Sequence, residues 1–324
     1  MTLILGLYVK WHALQVSDRL VSLRTVPPKP FDVLANKTIV YFGRRGIVSI
    51  SSAGLAYLNG KTTDEWVAET LSGVDLSVPS ALVMGRSISH PFDIGQALEH
   101  LRGRVTTAYA NESPAAQREV LDLQVVGSQW DRHNGRLRPV ICKVTNRRTR
   151  TVNFEKLVTP RYWDIQNGWY HIGSGVGYPE ARDYLRQSFG ASGGLISPQH
   201  CLDVMVDAIR HVATLHPGVV GEDCMCVHIQ PAAPRVSVSF RPKNNYRIAS
   251  ATGPITAPIA FTPYVVARDM IAVPSISANN MFFATHGVDI QFDGGGLIPL
   301  DQSSAWQQHL PRPAPPGSQT PRRR

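Results

Sequence analysis

The chain has 324 residues, 43% of them hydrophobic and 18% charged, enough to bury a sizeable core as one large domain or as a domain with an appendage. No stretch approaches the roughly 20 consecutive apolar residues that cross a bilayer, and the opening MTLILGLYV has neither a basic flank nor a small-residue cleavage site, so a soluble, cytoplasmic protein without membrane contact is expected. The formal charge is +9, concentrated in Arg44-Arg45, in Arg147-Arg148-Arg150 and in the tail PRPAPPGSQTPRRR; without aromatic residues interleaved among the bases, this pattern speaks against a nucleic-acid reader.

In chain order, residues 2–9 (TLILGLYV) and 12–23 (HALQVSDRLVSL) read as strands. Lys10-Trp11 leaves room only for a tight turn, so the two form a hairpin. TVPPKPFDVLAN reads as a loop. KTIVYF, the turn GRRG and IVSISSA then make a second hairpin. Thr62-Thr63-Asp64 caps a helix running to Leu71, and HPFDIGQALEHL is a second helix. Strand-like runs follow in REVLDLQVVG, RLRPVICKVT and RTVNFEKLV. After the Gly-rich IGSGVG, Pro179 opens a helix that Gly190 ends. SPQHCLDVMVDAIRHVATLHPG gives the clearest helical periodicity, with Ser197 as cap, Pro198 in the first turn and Pro217-Gly218 as the stop. CMCVHI, RVSVSF and a β-rich segment over 246–292 complete the chain. Hairpins, helices, strands, helices and strands in this order predict α+β with antiparallel sheets rather than alternating βαβ units.

The first residues carry the chemistry. A Met before a small residue is normally trimmed, which would make Thr2 the free N-terminus. One amino acid then holds a hydroxyl nucleophile and an amine base, whose pKa of roughly 7.7–8.0 suits proton transfer near neutral pH. Sixteen residues on stands Asp18, in SDRLVS; Lys37 opens the second hairpin; SSAG ends it at Gly54; and HIGSGVGYPEARDYL places Ser174 in a Gly-Ser-Gly turn before a helix. This order and spacing resembles the N-terminal-nucleophile hydrolases, and in particular the proteasome β-subunit type, over roughly residues 2–230.

The resemblance implies a four-layer αββα sandwich, two antiparallel sheets between helical layers. It covers a domain over 1–230; beyond it the sequence reads as a β-rich extension over 231–309, packed on that domain or continuing it, and by composition as a disordered basic Pro-rich tail over 310–324 that could instead dock a partner. The resemblance implies an N-terminal threonine amidohydrolase or peptidase acting on a peptide or another amide through an acyl-enzyme, without cofactor or metal, in a homo-oligomeric ring; the expected absence of a propeptide before Thr2, and about 90 residues beyond the resemblance, depart from the family's pattern. Lys37 would lower the hydroxyl pKa. Asp18 would hold Lys37, the Gly54 N–H would face the oxyanion, and Ser174 would bond the amine or a shuttling water. Aligned on Gly221, Pro217 and Val220 stand where the family carries Asp and Ser, so that part of the amine's support is absent or rebuilt from His216, Glu222 or Asp223.

Two other functions remain open: a non-catalytic structural subunit of the same fold, and a transpeptidase or ligase using the same acyl-enzyme. Each residue also has a plainer reading, with Thr2 as a β-branched strand start, Asp18-Arg19 as a salt bridge, Lys37 as a solvated lysine, Gly54 as a tight turn and Ser174 as a loop residue. Cys142, Cys201, Cys224 and Cys226 offer no disulfide framework. Cys224, Cys226 and His228 share one face of a strand and read as core rather than as metal ligands. His12 and His171 read as structural or pocket-lining. GSGVG lacks the endings and spacing of a nucleotide loop.

Overall fold

The computed structural model describes residues 2–294 except 10–11, 24, 26, 33–34, 77–81, 85–91, 132–136, 148–152, 159–177, 192–196, 231–234, 244–247, 251–252, 256–259, 269, 275, 278–280 and 286–287. The tail and Ser174 lie outside these residues. The strands in chain order are β1 Ile4–Val9, β2 His12–Asp18, β3 Val21–Leu23, β4 Lys29–Asp32, β5 Thr38–Gly43, β6 Gly46–Gly54, β7 Tyr57–Leu58, β8 Lys61–Thr62, β9 Leu82–Met84, β10 Leu121–Trp130, β11 Leu137–Thr145 and β12 Glu155–Val158. They continue with β13 Cys224–Gln230, β14 Arg235–Arg241, β15 Ile248–Ser250, β16 Gly253–Ile255, β17 Ala260–Phe261, β18 Tyr264–Val266, β19 Met270–Ala272, β20 Ile276–Ser277, β21 Met281–Thr285 and β22 Val288–Gly294. The helices are α1 Thr63–Ser72, α2 Ile94–Ala110, α3 Pro179–Ala191 and α4 Pro198–Leu215.

Two large sheets organise this α+β chain. One runs β1-β2-β13-β14-β22-β21, and the other β12-β11-β10-β6-β5-β18-β19-β9. The first hairpin forms as the sequence predicts, with Val9 opposite His12 across the two-residue connection. The second also forms, with Gly43 opposite Gly46.

Strand alternation sends successive residues to opposite faces. On β5, Ile39 and Tyr41 pack with Trp66, Val67, Leu98 and Leu101 of α1 and α2. Their neighbours Val40 and Phe42 join a second core with Met225, Val227, Val236 and Val238 of the other sheet. On β1 and β2, Leu5, Leu7, Leu14 and Val16 meet Leu185 of α3 and Leu202, Met205 and Ile209 of α4 in a third core. Cys224 and Cys226 belong to this third core, and all four cysteines are free of disulfides and buried.

Three local expectations are corrected. The sheets are mixed rather than antiparallel: β18 runs parallel to β5, and β22 parallel to β14. In both cases the chain leaves the sheet and returns after a long excursion, which frees the strand from the reversal that a tight hairpin imposes. The strand expected over 12–23 is broken. β2 stops at Asp18, where the Arg19 N–H turns to the Asp223 carbonyl at 3.1 Å, and β3 restarts at Val21 to pair with β4, inside the segment read as a loop. The second helix runs two turns past its predicted end to Ala110. Leu101, Val105, Ala108 and Tyr109 hold its last turns on the sheet, overriding the weak helix propensity of RGRVTT. Among the described residues, no helix is long and apolar enough to cross a membrane.

Candidate functional site

The break after β2 places Asp18 at the end of a strand, with no exposure to solvent. Its carboxylate gathers four donors. Leu3 N donates to Oδ1 at 2.9 Å, Leu20 N and Gly221 N donate to Oδ2 at 3.3 and 3.0 Å, and Lys37 Nζ donates to Oδ1 at 3.2 Å. Asp18 N in turn donates to the Leu3 carbonyl at 3.1 Å. One carboxylate thus fixes the backbone on the C-terminal side of Thr2, the strand break, the turn after α4 and the lysine. Gly221 permits the approach: a Cβ there would stand 2.8 Å from Leu20 Cβ.

Lys37 is 5% exposed and also donates to the Leu20 carbonyl at 2.5 Å. Burial lowers its pKa, and the adjacent Asp18 charge opposes that shift. The lysine is therefore not the solvated strand-end residue of the plainer reading.

Thr2, Lys37 and Gly54 line one cleft of about 70 Å³, together with Ser52, Ala53, Tyr57, Asn36, Thr62, Asp64 and Asp32 among others. Thr2 is itself 7% exposed. Gly54 has φ +94°, and a Cβ on it would lie 1.8 Å from the Val120 carbonyl oxygen. Only glycine fits, both for backbone conformation and for space.

Of the residues singled out from sequence, Thr2, Asp18, Lys37 and Gly54 therefore converge, and Ser174 falls outside the described residues. The three candidates for rebuilding the amine's support are engaged elsewhere. The His216 ring packs edge-on against Tyr178 and lies 3.7 Å from Glu180. Glu222 pairs with Lys243 at 3.0 Å, and the Asp223 carboxylate accepts from Lys243 N at 2.7 Å. The turn after α4 reaches the site instead through the backbone of Gly221.

Sequence reasoning missed Asn36 and the cleft role of Thr62 and Asp64. Asn36 Nδ2 donates to Asp64 Oδ2 at 2.8 Å. The adjacency of Asn36 to Lys37, and the position of Thr62-Thr63-Asp64 at a helix start, were the available signals.

No cysteine is poised as a nucleophile. Burial pushes the thiols of Cys142 and Cys226 up to about 12 and that of Cys201 up to about 11, and raises Cys224 strongly, so none supplies thiolate at neutral pH. No group of metal-ligating side chains stands out among the described residues. His12 Nδ1 and His228 Nε2 lie 2.8 Å apart, on the opposite end of β2 from Asp18. No protein-family model matches the chain, and no curated protein matches it.

Proposed function

We propose that this protein is an N-terminal threonine amidohydrolase, cleaving a peptide or other amide bond through an acyl-enzyme on Thr2 after removal of Met1. One observation carries the reading: Thr2, Lys37 and Gly54, distant in sequence, line a single cleft in which Asp18 ties the lysine to the backbone of residue 3. Three separate cores, two between helices and a sheet and one between the sheets, support the four-layer αββα architecture that goes with it.

The chemistry follows from the residue types. Thr2 Oγ attacks the scissile carbonyl while its own α-amine takes the hydroxyl proton. The Lys37 ammonium favours the alkoxide, and the Gly54 N–H stabilises the oxyanion, an interaction worth about 3 kcal/mol in other hydrolases. The C–N bond breaks as the α-ammonium returns the proton to the leaving amine. Water, deprotonated by the same amine, then hydrolyses the ester.

The test is turnover of a panel of fluorogenic peptide amides by the full chain, by Thr2→Ala and by Lys37→Ala. Hydrolysis by the parent and its loss in both variants is expected. Turnover that survives Thr2→Ala places the nucleophile elsewhere. A folded parent that turns over nothing in the panel favours the non-catalytic subunit.

A further inference from the structure

We infer, on the functional reading above, that the cleft wall formed by Asn36, Thr62 and Asp64 selects a cationic substrate side chain, a guanidinium or an ammonium. These three residues are 5%, 9% and 2% exposed and line the cleft beside Thr2 and Lys37. The orientation of Asn36 is fixed by its partners. Its side chain faces Asp64 Oδ2 at 2.8 Å and the Thr38 carbonyl at 3.0 Å, and because a carbonyl only accepts, the amide nitrogen must be the atom turned to them. The amide oxygen is left over. Asn36 Oδ1 is buried without a partner, and so is Thr62 Oγ1. A buried polar atom left unpaired opposes folding, and two of them on residues that line one cleft point to a ligand that pairs them.

That ligand must donate. Asn36 Oδ1 and the Asp64 carboxylate accept only, and the Thr62 hydroxyl accepts as readily as it donates. The charge points the same way. Among the described residues the cleft is lined by one lysine and two acids, Asp32 and Asp64, and the lysine is already paired with Asp18. No ion pair among the described residues involves Asp64. Ala35, Ala53 and Ala56 in the same lining leave width for a planar, many-donor head such as a guanidinium. A carboxylate-bearing substrate would bring acceptors to acceptors.

The test is isothermal calorimetry of the full chain with N-acetyl-arginine amide and with its norleucine and glutamate counterparts, repeated on Asp64→Asn and Thr62→Val. The arginine compound should bind at least about tenfold tighter than the norleucine compound, with glutamate weakest, and each variant should cut that ratio at least about threefold. Thr62→Val conserves shape and removes a hydroxyl that makes no helix-capping bond, so it decides the matter if Asp64→Asn does not fold. Absence of an arginine preference, or its persistence in a folded Thr62→Val, overturns the inference. Equilibrium binding needs no nucleophile: an arginine preference in a chain that hydrolyses nothing would retain this wall and overturn the functional reading, and hydrolysis without side-chain preference would do the reverse.

Discussion

The middle of β2 and its end both bury polar groups against the hairpin β5–β6, by different chemistry. In the middle, Gln15 Oε1 accepts from Ser49 and Ser51 at 2.5 and 2.9 Å, and its Nε2 donates to the Gln124 carbonyl at 3.1 Å. Thr38 Oγ1 links Ser51 to Ser17 at 2.9 and 3.0 Å. Every partner is neutral and every bond is internal, so the network fixes how the two sheets meet without an ionic charge. At the end, an ion pair takes the place of the hydroxyls, with a lysine whose pKa burial lowers, beside a cleft lined by two residues that each carry a buried unpaired oxygen. Neutral networks can be satisfied within the protein. A buried ion pair is seldom the most stabilising solution, and where perturbed ionisable groups line a cleft, function is the better explanation.

The sharpest break in this contrast is Asp18→Ala. It leaves Lys37 buried without its counter-charge and three backbone N–H groups unpaired, a loss of about 3–5 kcal/mol, read as a collapse of the urea midpoint. A midpoint near the parent's would mean that the ion pair anchors nothing. Lys37→Met removes the charge while the carboxylate keeps three backbone donors. It should fold and yet slow hydrolysis at least about a hundredfold, and unaltered turnover would reduce the pair to architecture. Gln15→Leu strikes the neutral network. We expect a loss of about 1–3 kcal/mol with kcat/KM retained, and a fall in rate matching that of Lys37→Met would erase the distinction between the two regions.

The smallest effect lies at the other end of β2. Burial, aided by neighbouring His12, pushes His228 down to about 4. The folded chain thus keeps this ring neutral where the unfolded chain, with its ordinary histidine value of about 6.5, binds a proton. Stability from this group is full above about pH 6.5 and declines as pH falls toward 4. Melting temperatures compared at about pH 7.5 and about pH 5 should therefore drop less for His228→Gln than for the parent.

Local signals carried the elements that local chemistry decides. Lys10-Trp11 and GRRG each allowed only a tight reversal. Ser197 caps α4 as read, accepting from His200 N at 3.1 Å. What the sequence concealed is non-local. Nothing in YVV of β18 states that it will lie parallel to β5, because that choice rests on a long excursion and on which sheet edge is open when the chain returns. β4 was hidden by the prolines in and before it, which fit an edge pair with β3. Within the site, spacing and a family resemblance brought Thr2, Asp18, Lys37 and Gly54 into view. Asn36, Thr62 and Asp64 stayed out of it, since Thr62 and Asp64 have an ordinary helix-start explanation and only the seating of α1 against β5 turns them toward the cleft.

The central claim is that residue 2 is at once attacking hydroxyl and proton acceptor. Its most direct test is mass spectrometry of the intact full chain after treatment with a peptide epoxyketone, an electrophile that closes a ring with both the hydroxyl and the amine of an N-terminal threonine. The account predicts a chain lacking Met1 that gains one inhibitor, mapped to Thr2. A chain that keeps Met1, or an adduct mapped to any other residue, would contradict it.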